Sequence, residues 1–185
     1  VKLNLGCGDY PIEGFENLDR RTGWRFETGL SDYADASIEA ITISHALMYV
    51  PRENWQDVFT ELARVLAPGG VLRITEDDTA NPDSERYGGW HDAVSMTSPA
   101  LILGELRRAG LKATRCEPGA SSFTDTSLIQ RWHGDPPKVF HVEGQKQKAA
   151  PKVTSKVYEP DAKRTDTIMD TVDEEFATKK KAPIA

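Results

Sequence analysis

Gly6-Cys7-Gly8 and the carboxylate that follows eleven residues after Gly8, Asp19, are the residues with the most chemistry to offer. A turn without Cβ atoms lets main-chain groups approach a ligand closely, and a carboxylate beside it accepts hydrogen bonds from paired hydroxyls such as those of a ribose. His45 is the first candidate to take a proton, because histidine is the side chain suited to exchanging one near neutral pH. A histidine that merely fixes its own loop reads the same way in sequence, so both roles stay open. His91, between Trp90 and Asp92, is a second candidate, either reaching an acceptor or forming part of a lid. Glu76 and Asp77 stand where they could orient an amine or a hydroxyl, or simply be solvated. His133 and His141 read as structural. No ligand spacing supports a metal.

The elements that must position these residues follow from periodicity and punctuation. Leu3–Leu5 reads as a first strand running into the glycine turn, and Glu16–Asp19 as a second ending in the carboxylate. Arg25–Thr28 reads as a short third strand and Ala40–Ser44, apolar and β-branched, as a fourth ending at His45. Pro51 opens a helical segment. Trp55, Val58, Phe59, Leu62, Val65 and Leu66 recur there at three- and four-residue steps, and Ala67-Pro68-Gly69-Gly70 breaks it. Val71–Thr75 is then a fifth strand with Glu76, Asp77 and Asp78 at its end. Residues 79–97 form a loop long enough to be functional or mobile. Ser98 caps a second helix over Pro99–Ala109, closed by Gly110, and Leu111–Cys116 and Val139–Glu143 close the domain as a strand pair.

The chain has 185 residues, of which 38% are hydrophobic, and a formal net charge of −6. That is one domain with something added. Residues 1–144 hold 22 acidic and 14 basic side chains, a net −8, whereas the remainder is net +2. An acidic core argues against nucleic acid as its main ligand. No apolar run is long enough to cross a bilayer, so no membrane partner is expected, and two cysteines without a spacing motif fit a reduced, cytoplasmic setting. The chain opens directly in its first strand, as a processed or trimmed protein would. Residues 147–185 read as a low-complexity tail, either solvated or docking a partner, in which Thr167–Phe176 has the pattern of a short helix.

Together these residues resemble the class I S-adenosylmethionine-dependent methyltransferases, in particular the compact bacterial and phage type. The resemblance covers residues 1–146 and rests on Leu-Asn-Leu-Gly-Cys-Gly-Asp (3–9), Gly-Phe-Glu-Asn-Leu-Asp (14–19), Asp-Ala-Ser-Ile-Glu-Ala-Ile (35–41), Ser-His-Ala-Leu (44–47), Glu-Leu-Ala-Arg-Val-Leu-Ala-Pro-Gly-Gly (61–70) and Val-Glu-Gly-Gln-Lys (142–146). It implies an α/β, Rossmann-like sheet, mostly parallel with an antiparallel last strand. It also implies S-adenosyl-L-methionine as cofactor, with Gly6, Cys7 and Gly8 under its methionine part, Asp19 on the ribose, and Gly29, Leu30 and Ser31 beside the adenine. Ser44 and His45 would face the sulfonium and a small-molecule acceptor.

The chain departs from that pattern in ways with physical consequences. Ten residues between Gly8 and Asp19, including Pro11 and Gly14, are too few for the usual crossover helix. The first helices are therefore expected to be shortened or lost. One sheet face would then be left as exposed apolar surface, inviting a second subunit or a protein partner. Tyr10 replaces the third glycine, and Leu47-Met48-Tyr49 stands where the family often has Leu-Glu-His. Two further functions stay open beside methyl transfer to an oxygen or nitrogen of a small or sugar-like acceptor. One is a catalytically silent binding or assembly module. The other, a nicotinamide oxidoreductase, conflicts with Pro11, since its motif must open a full helix.

Overall fold

The computed structural model describes residues 1–79, 81, 93–117, 120–123 and 139–148. They form a six-stranded sheet of β1 (Lys2–Leu5), β2 (Glu16–Leu18), β3 (Ile38–Ser44), β4 (Leu66–Asp77), β5 (Lys112–Cys116) and β6 (Val139–Gln145), in the order β2-β1-β3-β4-β6-β5. Every pairing is parallel except those of β6, which runs antiparallel to both β4 and β5. The expected mostly parallel sheet with an antiparallel last strand is what the chain forms.

Two helices pack on this sheet, α1 (Trp55–Val65) and α2 (Pro99–Arg108). Strand alternation sends Leu3, Leu5, Ile41, Ile43, Leu72, Ile74, Phe140 and Val142 to one face, where they join Phe59 and Leu62 of α1 and Ile102 and Leu106 of α2 in a single core. Ser98 caps α2, its Oγ accepting from Leu101 N, and Gly110 at φ +82° follows the helix. Lys146 donates through Nζ to the carbonyls of Ala63 (2.8 Å) and Arg64 (3.2 Å), so the residue after β6 closes the C-terminal end of α1.

Three expectations change. Arg25–Thr28 is no strand: Phe26–Thr28 is a single 3-10 turn between glycines with positive φ, Gly23 and Gly29, and Thr28 Oγ1 donates back to Arg25 O at 2.7 Å. A segment folded on itself over so few residues cannot extend along β2, which leaves β2 at the sheet edge. The fifth strand begins earlier than its apolar run. The Pro-Gly-Gly breaker lies inside β4 as a bulge, in which Ile38 pairs with Leu66 but Ala40 with Val71. Gly70 is required there, since a Cβ would sit 2.8 Å from Ala67 O and 2.9 Å from Ile38 O.

The third change concerns the second sheet face. It is largely buried and mixed in character: Asn4, Thr42, Arg73, Thr75, His141 and Glu143 lie there, all buried, beside a small apolar cluster of Ala40 and Val71 with Phe15 and Phe123. As expected, no helix joins β1 to β2; the link is made of turns. Beyond residue 148 the expected tail, with its Thr167–Phe176 segment, lies outside the described residues. So do His91, His133 and most of the 79–97 loop. Among the described residues no helix is long and apolar enough to cross a membrane.

Candidate functional site

Ligands of open α/β sheets bind beyond the carboxyl ends of the strands, where neighbouring connections diverge. Such a crevice, about 350 Å³ in volume, opens here after β1, β2 and β3. Gly6, Gly8, Asp19, Trp24, Phe26, His45, Ala46 and Tyr49 are on its walls.

The glycine turn owes its shape to two positive φ angles, +68° at Gly6 and +50° at Gly8. A Cβ on Gly6 would stand 2.5 Å from the Cβ of Ala46, so the turn after β1 packs directly on the turn after β3. Gly6 N donates to Leu18 O at 2.8 Å, tying the glycine turn to the end of β2.

Asp19 begins a 3-10 turn over Arg20–Thr22 and is deeply engaged. Its Oδ1 accepts from the backbone and Nε of Arg21, each at 3.1 Å, and its Oδ2 accepts from Gly8 N at 3.2 Å. Burial pushes this carboxyl up. The hydrogen bonds from Arg21 and Gly8 outweigh that effect and hold it below the usual carboxylate range. Of the four lone-pair positions of a carboxylate, one remains for a ligand while Arg21 holds two.

The far wall is the end of β3. His45 has φ +50°, a left-handed conformation rare for a residue with a Cβ and the kind of strain found at functional sites. Its N–H donates to Thr75 O at 2.8 Å, and its Nδ1 lies 3.1 Å from Asp77 Oδ2, while its Nε2 is shielded from solvent. The next residue of β4 towards the core, Glu76, is fully buried and accepts from Ala46 N (2.9 Å) and Leu47 N (2.7 Å) on Oε1. Burial pushes the Glu76 carboxyl up to about 7, with Asp77 adding to the effect and the two N–H donors and His45 opposing it.

The expected site residues do not all converge. Gly6, Gly8, Asp19 and His45 share the crevice. Cys7 is half-buried beside it, and burial raises its thiol pKa. Ser44 pairs with Thr75 in the sheet. Gly29, Leu30 and Ser31 stand off the crevice walls. Leu30 belongs to the core, and the segment is clasped by α1: Glu61 Oε1 accepts from Leu30 N at 3.1 Å, and Arg64 donates to the carbonyls of Leu30 and Tyr33.

Sequence reasoning passed over Trp24 and Phe26. Their rings meet edge to face 4.8 Å apart, and Trp24 Nε1 donates to Gly29 O at 2.8 Å. The available signal was two aromatic residues, spaced to share one side of an extended stretch, directly after the carboxylate.

Comparison with known proteins agrees with this arrangement. Residues 24–74 match the methyltransferase domain family. No curated protein matches the sequence. Among solved structures, an S-adenosylmethionine-dependent methyltransferase from Archaeoglobus fulgidus is similar at a TM-score of 0.56 and 12% identity, over 78% of this chain and 85% of that one. The YcgJ protein from Bacillus subtilis follows at 0.54 and 13% identity, over 80% and 92%. A Haloferax volcanii protein in complex with a methyltransferase activator reaches 0.51 at 14% identity, over 79% and 71%. Part of the chain thus matches the methyltransferase domain family, and its fold is that of S-adenosylmethionine-dependent methyltransferases of known structure.

Proposed function

We propose that the crevice holds S-adenosylmethionine and that the protein methylates an oxygen or nitrogen of a small or sugar-like acceptor. When bound, the cofactor supplies a methyl group on a sulfonium, already activated for displacement. The residues present fit it. Gly6 and Gly8 offer a backbone surface bare of side chains, with a Cβ at Gly6 excluded by Ala46, Asp19 offers an acceptor to a ribose hydroxyl, and the Trp24–Phe26 pair offers an apolar flank. Asp19 reaches a second hydroxyl only as the Arg21 guanidinium gives way. The chain's part in the reaction is chiefly alignment in a walled crevice.

His45 takes the acceptor's proton where the acceptor carries one, and Asp77 fixes its ring and offsets the charge that forms. The single observation behind this role is the strained His45 backbone paired with a carboxylate at the crevice wall.

Calorimetry with S-adenosylhomocysteine tests the reading. Wild type is expected to bind at micromolar to submillimolar concentration, and Asp19→Ala to weaken binding by about 1.5–3 kcal/mol, the worth of hydrogen bonds to a charged group. Tight binding unaffected by Asp19→Ala would remove the ribose assignment. His45→Gln is expected to lower turnover of a hydroxyl acceptor by about 10²–10⁴ while leaving cofactor affinity nearly as it was.

A second reading, a catalytically silent module, draws on the shielding of His45 Nε2 and on the buried Met48 and exposed Tyr49 where the family often carries Glu and His. Loss of the thermal shift with cofactor in an otherwise folded protein would select it.

A further inference from the structure

Glu76 sits under the crevice wall rather than in it. It is 0% exposed, Oε1 receives two main-chain N–H groups, and Oε2 has no hydrogen-bond partner among the described residues. Those two donors belong to Ala46 and Leu47, the residues that turn the chain immediately after His45. Ala46 is also the residue against which Gly6 packs with no room for a Cβ. One carboxyl group thus fixes the peptide units that join the proton-accepting candidate to the wall facing the glycine turn.

The charged groups around it are few. Asp77 adjoins it on β4 and His45 faces it from the end of β3. Its cross-strand neighbour on β6, Phe140, and the turn residues Ala46 and Leu47 carry no charge. No arginine or lysine faces this carboxyl among the described residues, so burial outweighs the opposing groups and raises it to about 7.

We infer that Glu76 is a positioning residue of the transferase crevice, acting as an acceptor that sets the Ala46–Leu47 backbone and so the attitude of His45 and the gap opposite Gly6. The inference rests on the proposed cofactor crevice and deepens it. What the turn requires is a carbonyl-type oxygen at Oε1. A negative charge is not required. Glutamine, which keeps that oxygen and the shape, should serve; alanine, which leaves two buried N–H groups without an acceptor, should not.

Two measurements decide it. The first is S-adenosylhomocysteine affinity at pH 7 by tryptophan fluorescence, to which Trp24 in the crevice contributes. Glu76→Gln is expected to stay within about threefold of wild type and Glu76→Ala to lose tenfold or more. Equal loss in both variants, or no loss in alanine, overturns the inference.

The second is the stability of ligand-free protein in urea against pH. The folded-state pKa of Glu76 is raised from 4.5 to about 7. Its favourable contribution is therefore whole below about pH 4.5 and lost as pH rises through 7. The folding constant of Glu76→Gln relative to wild type should consequently climb on the order of a hundredfold between pH 4.5 and 8. Groups common to both proteins, such as His141, cancel in that ratio. A flat ratio overturns the inference even if Glu76→Ala fails to fold. If wild type itself binds no S-adenosylhomocysteine, the cofactor reading falls, while the urea ratio still reports on the buried carboxyl.

Discussion

Two glutamates of the same sheet, Glu76 on β4 and Glu143 on β6, are both fully buried, yet the protein treats them in opposite ways. Glu143 lies on the second face, where Arg73 Nη1 donates to its Oε1 at 2.8 Å and Ser122 N and Ser121 Oγ donate to its Oε2 at 2.8 and 3.2 Å. Arg73 also donates to Ala120 O at 2.7 Å. Glu76, under the crevice wall, has two main-chain donors on one oxygen and nothing on the other among the described residues. The second face holds an ion-paired network that joins β4, β6 and the 120–123 segment, with Arg73 Nε left buried and without a hydrogen-bond partner among the described residues. The crevice end is under-satisfied, and it also carries the left-handed His45 and the closest backbone packing. Polar groups on the second face are arranged to hold the sheet, while those at the crevice are arranged to hold a shape at some cost in stability.

Three experiments can break or sharpen this contrast. Glu143→Ala should be the most damaging to stability, by about 3–5 kcal/mol in urea unfolding, because it strands a buried guanidinium. Its folded fraction should bind S-adenosylhomocysteine about as tightly as wild type, and a large loss of affinity would show that the two regions are coupled. Gly6→Ala combines a left-handed φ with a Cβ 2.5 Å from that of Ala46. Its cost of about 2–4 kcal/mol should appear in affinity as well as in stability; an unchanged crevice would mean the turns part freely.

The smallest effect concerns pH. Burial, followed by the influence of Arg73 and then His45 and Arg115, lowers the His141 pKa to about 4, and its Nδ1 lies 2.9 Å from Thr75 Oγ1. A histidine with a lowered pKa contributes stability above the unfolded value of about 6.5 and loses it as pH falls towards 4. Its slope between those values is opposite to that of Glu76. Allowing for solvent screening, His141→Gln should remove about 2 kcal/mol of acid sensitivity. The wild-type profile should be nearly level between pH 4.5 and 6.5, and a steep wild-type profile there would show that one of the two groups is misassigned.

Much of this was legible in the chain. The glycine turn, the carboxylate ending β2 and the histidine ending β3 could be placed because strand alternation and helix periodicity are local. The piece Glu61–Gly70 stood out in sequence, but its purpose did not. Glu61 and Arg64 clasp the 29–33 segment, and Gly69 and Gly70 form a bulge inside β4 that looks like a terminator when read alone. Trp24 and Phe26 escaped because a five-residue span between glycines has no period to read.

The order of residues by itself determined both helices and the strands other than the misread Arg25–Thr28 and the early start of β4, and which residue types reach the strand ends, since backbone preference and side-chain period act within a few positions. Only the tertiary structure decided that Leu30 goes to the core, that the second sheet face buries the Arg73–Glu143 ion pair, and that Glu76 is buried beneath His45 with one oxygen unpartnered among the described residues. Burial and hydrogen-bond partners are settled between residues thirty to seventy positions apart, where no local pattern reaches.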